Sequence, residues 1–99
     1  MRSYKSKCAV CGIQEPKILR AAHIVPVTKG GNDKISNGIC LCTNHEIAFD
    51  NGLLKIKPSG IIEIATHDLD NVFDRITYPN NKKDHPSKKF LQMKYYNDF

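Results

Sequence analysis

Short apolar runs alternate with short polar runs along this chain, a pattern that predicts both strands and helices. Residues 17–27, KILRAAHIVPV, are mostly apolar, carry β-branched side chains near their end, and predict a strand that Pro26 stops. A loop with Gly-Gly and Asn-Asp follows at 28–33, and residues 37–42, NGICLC, predict a second strand. This part of the chain is therefore predicted to hold two short strands joined by a loop.

The pattern after the second strand predicts a helix and then a hairpin. Thr43 or Asn44 can cap a helix, which the Asp-Asn-Gly sequence at 50–52 would end. Alternating runs on either side of a Pro-Ser-Gly turn predict a β-hairpin over residues 53–66. Residues 67–76 are ambiguous and could form a helical turn.

The last segment of the chain predicts a closing helix over residues 86–99. Pro86 would occupy its first position, where the missing amide hydrogen costs nothing. Helical spacing would turn Phe90, Met93 and Tyr96 inward.

Ninety-nine residues suffice for one domain with a modest core, so a stabilising metal or cross-link is expected. No run of about 18 apolar residues occurs, and the basic start lacks the apolar region of a secretory signal. We therefore expect no membrane association and a cytoplasmic location, where the four cysteines stay reduced. The polar residues 1–7 resemble the tail of a preceding segment, so the domain 1–99 is expected to be a fragment of a longer protein.

The net charge of +5 is unevenly distributed. Residues 1–20 carry five basic and one acidic side chain, and residues 82–99 carry five basic and two acidic. The segment between them, 21–81, carries five basic and seven acidic side chains. This distribution suits a polyanion bound at the edges of a metal-binding centre, although solvated surface charge explains it equally well.

The cysteine spacing predicts a metal site. Cys8 and Cys11 form C-x-x-C, Cys42 and His45 form C-x-x-H, and 30 residues separate the two pairs. Three thiolates and one imidazole make a closed tetrahedral site of the kind that structural zinc occupies. The alternative, four buried free cysteines, does not explain the repeated spacing. Cys40 is interpreted as a core residue, with ligation as the alternative.

Three further polar residues suggest a second site. Glu46 and Asp50 are four residues apart, so on a helix they share one face, where a cation between them would offset their repulsion. The alternative is that Glu46 caps the helix and Asp50 ends it. His23 ends the first apolar run, a position where a histidine is more often a core residue than a functional one.

Several motifs occur in one order: the C-x-x-C knuckle, A-A-H-I-x-P, Gly-Gly, and N-G-x-x-L-C-x-x-H followed by Phe-Asp. In this order the sequence resembles the HNH endonucleases, the ββα-metal nucleases, and especially a branch common among restriction-type and modified-DNA-dependent nucleases. The resemblance spans residues 4–65 and, less closely, 84–99. It implies an α+β, ββα-metal (His-Me finger) fold with its core at about 17–52, a structural zinc site, a following hairpin and a C-terminal helix.

The resemblance also assigns roles to individual residues. His23 matches the general base, and Asn37 matches the asparagine that orients this base through the loop backbone. Glu46 matches the ligand of the catalytic metal, and Asp50 matches a position that in some branches binds the same ion. The implied cofactors are structural Zn²⁺ and catalytic Mg²⁺ or Mn²⁺, and the implied partner is DNA.

Two positions depart from the family pattern. Ala22 stands where many relatives carry an aspartate, and Glu46 stands where this branch has a second histidine. Glutamate is a hard oxygen ligand, which favours Mg²⁺ or Mn²⁺, or it marks a weakened active site.

The expected function is a metal-dependent DNA endonuclease that hydrolyses phosphodiester bonds, as the cleavage domain of a restriction-type or modified-DNA-dependent nuclease in a bacterial or phage-like setting. The alternative is a zinc-stabilised nucleic-acid-binding module with weak or no catalysis. Arg20, Lys29 and Lys34 flank the strand and loop and are candidate phosphate contacts. A homodimer is a further expectation, since one site cuts one strand.

Overall fold

The computed structural model describes residues 7–69, 71–79 and 81–97 and has the predicted α+β arrangement. Its strands and helices, in chain order, are β1 (Leu19–His23), β2 (Gly38–Cys42), α1 (Thr43–Asp50), β3 (Leu54–Ile56), β4 (Ile62–Ile64) and α2 (Lys88–Asn97). The strands form two antiparallel pairs, β1 with β2 and β3 with β4. The predicted order of two strands, helix, hairpin and C-terminal helix is therefore confirmed.

The β1–β2 pair and α1 form the ββα unit that carries the predicted functional residues. The register of the pair runs from Leu19 opposite Cys42 to His23 opposite Gly38. All β2 residues after Gly38 are buried, and α1 begins at the residue that follows β2. Because no loop separates β2 from α1, the first helical turn is fixed relative to the sheet.

Strand β1 is shorter than predicted, because it ends at His23 rather than near Pro26. Ile24 and Val25 are fully buried and continue past the strand. The Ile24 amide donates to the Asn37 carbonyl at 2.8 Å, and the Val25 amide donates to the Asn37 side chain at 2.9 Å. The Asn37 side chain thus takes over from backbone pairing at Val25, two residues after His23.

Both ends of α1 are defined by backbone geometry. The helix begins at Thr43 with Cys42 as its N-cap, so the prediction that Thr43 or Asn44 caps it was wrong. The last turn ends as predicted at Asn51 and Gly52, which adopts φ +73°. The Leu53 amide then donates to the carbonyl of Ala48 at 2.9 Å, the bond that follows a left-handed residue at a helix end.

Residues 67–76 do not form the helical turn that was considered for them; the part of this range that the structure describes contains no helix. Ile61 and Arg75 instead form an antiparallel bridge beside the hairpin. The amides of Phe73 and Thr77 donate to the carbonyls of Val10 and Ala9 at 2.7 and 2.8 Å. This segment therefore ties the hairpin to the N-terminal knuckle through backbone hydrogen bonds.

Helix α2 begins at Lys88, so the prediction that Pro86 is its first residue was wrong. Its predicted inward face was also partly wrong: Leu91 and Lys94 are buried, whereas Tyr96 is 72% exposed. Phe90 and Met93 are partly buried against the core, and the end of the predicted range, 98–99, lies outside the described residues. In the described part of the chain, no helix has the length and apolar character needed to cross a membrane.

Candidate active site and metal cluster

Two parts of the chain bring four predicted ligands together. The C-x-x-C knuckle of Cys8 and Cys11 is closed by the Gly12 amide, which donates to the Cys8 carbonyl at 2.9 Å. Gly12 itself adopts the left-handed φ of +77°. The other pair straddles the start of α1, where Cys42 is the N-cap and His45 lies in the first turn. The ligand atoms of Cys8, Cys11, Cys42 and His45 all lie within 4.8 Å of one another.

The chemistry of this Cys3His cluster fits a bound metal ion. The His45 Nδ1 lies 3.2 Å from the Cys42 Sγ and 3.9 Å from the Cys8 Sγ, so this nitrogen faces the thiols. Burial lowers the pKa of His45, which keeps the imidazole neutral as a ligand requires. Burial also raises the pKa of Cys11 to about 12 and raises the pKa of Cys42, so the site favours thiolates only when a cation is present.

Cys40 is fully buried and lies outside this cluster, as predicted for a core residue. Across residues 7–69, 71–79 and 81–97, the cluster is the only group of three or more histidine, cysteine or acidic side chains close enough to share an ion. A second metal elsewhere in the described region would therefore find at most two histidine, cysteine or acidic side chains together as they lie in this structure.

A separate open cleft of about 520 Å³ contains the predicted base, His23, and the predicted metal ligand Asp50. Its other lining residues are Ile24, Pro26, Val27, Thr28 and Lys94. The cleft shares no residue with the Cys3His cluster. Glu46 lies one helical turn before Asp50, is partly buried, and does not line the cleft. The structure thus places His23 and Asp50 in the lining of one cleft and leaves Glu46 outside that lining, one helical turn before Asp50.

Asp33 is a residue that the sequence analysis missed. Its Oδ1 lies 2.8 Å from the His23 Nε2, and both side chains are accessible to solvent. A carboxylate only accepts, so Nε2 carries the hydrogen and Nδ1 of the neutral ring is left with its lone pair. The Gly-Gly and Asn-Asp pattern assigned Asp33 to a loop with no role. Ten residues separate it from His23, and the pairing of β1 with β2 makes them neighbours.

Asn37 holds the loop that follows His23. Its side chain is fully buried; Oδ1 accepts from the Val25 amide, and Nδ2 donates to the Val25 carbonyl at 2.9 Å and to the Asn32 carbonyl at 2.7 Å. All these contacts are to backbone, so Asn37 fixes the course of the chain at both ends of the loop. This arrangement is the one that an orienting residue needs, because the side chain itself does not reach the cleft.

Gly31 leaves room for this contact. A Cβ at Gly31 would stand 1.9 Å from the Val25 carbonyl oxygen and 2.7 Å from the Asn37 Nδ2. We expect Gly31→Ala to break the contact and to lower the free energy of unfolding by about 1–3 kcal/mol, since neither atom can move without losing a buried hydrogen bond. Thermal unfolding checks this, with Gly38→Ala as the matched control, because a Cβ at Gly38 would stand 3.3 Å from the Ile35 carbonyl oxygen, a much smaller conflict than 1.9 Å. Equal melting temperatures for the two variants would contradict the expectation.

The three predicted phosphate contacts lie on the surface. Arg20 is exposed on β1, Lys29 is exposed in the turn that follows it, and Lys34 is exposed just before Ile35–Asn37. None of them lines the cleft. Lys94, which does line it, was missed because the sequence pattern gave no reason to turn a lysine of the last helix inward.

Comparison with known proteins supports the family inferred from the motifs. The sequence profile described as HNH endonuclease matches residues 8–57, and a comparison with curated proteins found no match. The structure is similar to a solved protein described as modification-dependent TagI restriction endonuclease, with a TM-score of 0.73 and 27% sequence identity. The match covers 91% of this chain and 32% of the TagI chain, so the present chain spans about a third of that protein. With half of its length matched by the profile, this chain belongs to the HNH endonuclease family, the metal-dependent nucleases that hydrolyse phosphodiester bonds.

Proposed function

We propose that this chain is the DNA-cleavage domain of a restriction-type nuclease, and that it acts as part of a longer protein. The observation that carries the proposal is the cleft that both His23 and Asp50 line, separate from the Cys3His cluster. The likeness to TagI supports the restriction-type setting and makes modified DNA a candidate substrate. Recognition of a sequence or a modified base would then reside in other parts of the longer protein.

In this proposal His23 is the general base. Asp33 accepts the hydrogen of Nε2 and fixes the ring, so Nδ1 takes the proton from a water molecule as the oxygen attacks the phosphorus. The bond from phosphorus to the 3′-oxygen breaks, and that oxygen leaves with the negative charge. Asn37 contributes indirectly, because it holds the backbone immediately after His23.

Two kinds of metal ion fit the residues. Zn²⁺ is the ion we assign to the Cys3His cluster, because three thiolates and a neutral imidazole complete its tetrahedral coordination. For the cleft we propose Mg²⁺ or Mn²⁺, which are commonly held by one or two carboxylates, with water and phosphate oxygens completing the shell. Asp50, with Glu46 one turn away, supplies such carboxylates. When bound, the ion would neutralise charge on the phosphate and on the departing oxygen.

Plasmid nicking tests the proposal. We expect the purified, zinc-loaded chain to convert supercoiled plasmid into open circles when Mg²⁺ or Mn²⁺ is added, and not when the divalent ion is omitted. The alternative function, a zinc-stabilised binding module, predicts salt-dependent DNA binding without nicking under any of these conditions. A chain that binds plasmid but leaves it supercoiled with both ions would therefore reject the nuclease proposal.

The two carboxylates are expected to contribute unequally. Asp50→Asn should lower the nicking rate by about 10²-fold or more, because Asp50 lines the cleft beside His23, and high Mn²⁺ should restore part of the rate. Glu46→Gln should have a smaller effect. Asp74→Asn is the control, since this exposed carboxylate lies outside the cleft. Nicking rates of all three variants, measured over a range of Mg²⁺ concentrations, show which carboxylate holds the ion. A larger loss of rate from Glu46→Gln than from Asp50→Asn would make Glu46 the principal ligand.

The remaining expectations concern partners and setting. Exposed Arg20, Lys29 and Lys34 are proposed to contact DNA phosphates outside the cleft. A double-strand break would need two copies of the domain, so we propose a homodimer, formed through this domain or through other parts of the longer protein. The reduced cysteines that the cluster requires favour the cytoplasm as the place of action.

A further inference from the structure

Thr28 brings a hydroxyl group to the cleft that His23 and Asp50 also line. The residue is exposed to solvent, and in the part of the chain that the structure describes its hydroxyl has no hydrogen-bond partner. A threonine hydroxyl provides one donor and two acceptors, which water satisfies where the side chain is exposed. A bond to water can be exchanged for a bond to a ligand oxygen. Thr28 therefore offers the cleft a hydrogen-bond donor that no described protein group occupies.

The other polar side chains that line the cleft are already engaged or cannot donate. The Nε2 hydrogen of His23 is directed to the Asp33 Oδ1 at 2.8 Å. The Asp50 carboxylate accepts hydrogen bonds or binds a cation, and it does not donate to an anion. Lys94 is buried and already interacts within the protein. The remaining lining residues have apolar side chains: Ile24, Pro26 and Val27. Among the described residues, the exposed side-chain donor that a phosphate oxygen would meet in the cleft is therefore the Thr28 hydroxyl.

Backbone hydrogen bonds fix the turn that carries Thr28. The Pro26 carbonyl accepts from the Lys29 amide at 2.9 Å and from the Gly31 amide at 3.0 Å, so these bonds span Thr28. The residue before Pro26 is held by the buried Asn37 side chain. The hydroxyl is therefore presented from a backbone that is bonded on both sides and not from a free loop.

From this geometry we propose that the Thr28 hydroxyl donates a hydrogen bond to a non-bridging oxygen of the phosphate that is cleaved. The inference rests on the proposed nuclease function and adds a residue that touches the substrate. In the transition state, negative charge is spread over the non-bridging oxygens, and a hydrogen bond to a charged oxygen is stronger than one to a neutral oxygen. A donor that is already in place stabilises this charge without reorganisation. The hydroxyl keeps its hydrogen throughout, so His23 still takes the proton of the attacking water and the 3′-oxygen still leaves.

Three variants of the full chain test the contact: Thr28→Val, Thr28→Ser, and Thr77→Val as the matched control, since Thr77 is an exposed threonine outside the cleft. Valine keeps the branched shape of threonine and removes the hydroxyl, whereas serine keeps the hydroxyl. Single-turnover nicking is measured at saturating protein, so weaker binding does not lower the rate. We expect a loss of about 10–10²-fold for Thr28→Val, most of the rate for Thr28→Ser, and an unchanged rate for Thr77→Val. Melting temperature and zinc content verify that each variant is folded. A folded Thr28→Val that nicks at the rate of the unchanged chain would overturn the proposal, as would equal losses for valine and serine at this position.

A measurement on the unsubstituted threonine covers the case in which Thr28→Val does not fold. The methyl resonances of Thr28 and Thr77 are followed while the His23→Ala chain, which lacks the proposed base, is titrated with a short DNA duplex. A Thr28 shift that saturates with the duplex and exceeds the Thr77 shift supports the contact, and a Thr28 shift no larger than that of Thr77 overturns it. The two proposals fail separately: a chain that never nicks DNA rejects the nuclease function, whereas the methyl resonance reports the contact whether or not cleavage occurs. A chain that does not bind the duplex at all rejects both.

Discussion

His23→Ala is expected to lower the nicking rate by about 10²–10⁴-fold and to leave the fold intact, the range that a general base contributes. The His23 side chain is 47% exposed, so its removal leaves no large cavity in the core. Its backbone still pairs with Gly38, and Asn37 still holds the two residues that follow. The lost rate therefore reports chemistry rather than folding. Nicking of supercoiled plasmid with Mg²⁺ or Mn²⁺ measures it.

His67→Ala is the matched control, because His67 is an exposed histidine that does not line the cleft. Asp33→Ala is an intermediate case: His23 would keep its imidazole but lose the acceptor that fixes its Nε2 hydrogen, so we expect a smaller loss than for His23→Ala. Nicking that survives His23→Ala at an unchanged rate would remove His23 as the base. A rate for Asp33→Ala equal to that of the original chain would remove only the orienting role of Asp33.

The Cys3His cluster could be predicted from the sequence because its ligands come in close pairs. Cys8 and Cys11 belong to one tight turn, and Cys42 and His45 belong to one strand–helix junction. Each pair is therefore set by local conformation, and the folding of the chain has only to bring two such pairs together. The repeated two-residue gap between ligands can therefore be recognised in the sequence without any knowledge of the tertiary structure.

The cleft was predicted only in part because its members come from distant elements. His23 stands at the end of β1, Asp50 at the end of α1, and Lys94 near the end of α2. The motifs pointed to His23 and Asp50, but nothing in the local pattern indicates that α2 turns a lysine toward them. Asp33 was missed for a related reason, since its proximity to His23 depends on how the loop between the paired strands closes.

The errors in secondary structure have the same origin. The Phe90, Met93 and Tyr96 spacing fits a helix face, yet docking of α2 buries Leu91 and Lys94 instead and leaves Tyr96 exposed. Phe90 and Met93 still pack partly against the core, so tertiary contacts rotate the buried face of α2 toward Leu91 and Lys94 and leave only Tyr96 fully outside it. Likewise the strand that Pro26 was predicted to stop already ends at His23, because the buried side-chain amide of Asn37 offers Val25 a donor and an acceptor.

One junction connects the metal cluster to the cleft. Cys42 ends β2, His45 lies in the first turn of α1, and Asp50 ends the same helix two turns later. Strand β2 also carries the register that positions His23 opposite Gly38. If the metal is removed, the start of α1 and the end of β2 lose their common attachment to the knuckle. We therefore expect the cleft to depend on the zinc ion proposed for the cluster, although that ion has no part in the proposed chemistry.

Removal of zinc is accordingly expected to unfold the domain, and Cys11→Ser should have the same effect. Structural zinc sites of this kind contribute about 10–16 kcal/mol at neutral pH, whereas the total stability of a small domain is about 5–15 kcal/mol. Acid should also release the ion, because protons compete for the thiolates and burial already raises the pKa of Cys11 to about 12. Zinc content, far-UV circular dichroism and nicking are measured together, and all three should be lost on one pH transition.

Cys40→Ala is the control, because Cys40 is a fully buried cysteine that lies outside the cluster, whereas Cys11 is partly buried within it. We expect it to retain one zinc ion per chain and to melt only slightly earlier, since alanine removes a single sulfur atom from the core. A Cys11→Ser chain that keeps its circular dichroism spectrum, its melting temperature and its nicking rate would mean that the core around Phe49 and Leu54 is stable alone. In that case the four side chains would be a set of buried thiols and an imidazole without a structural ion.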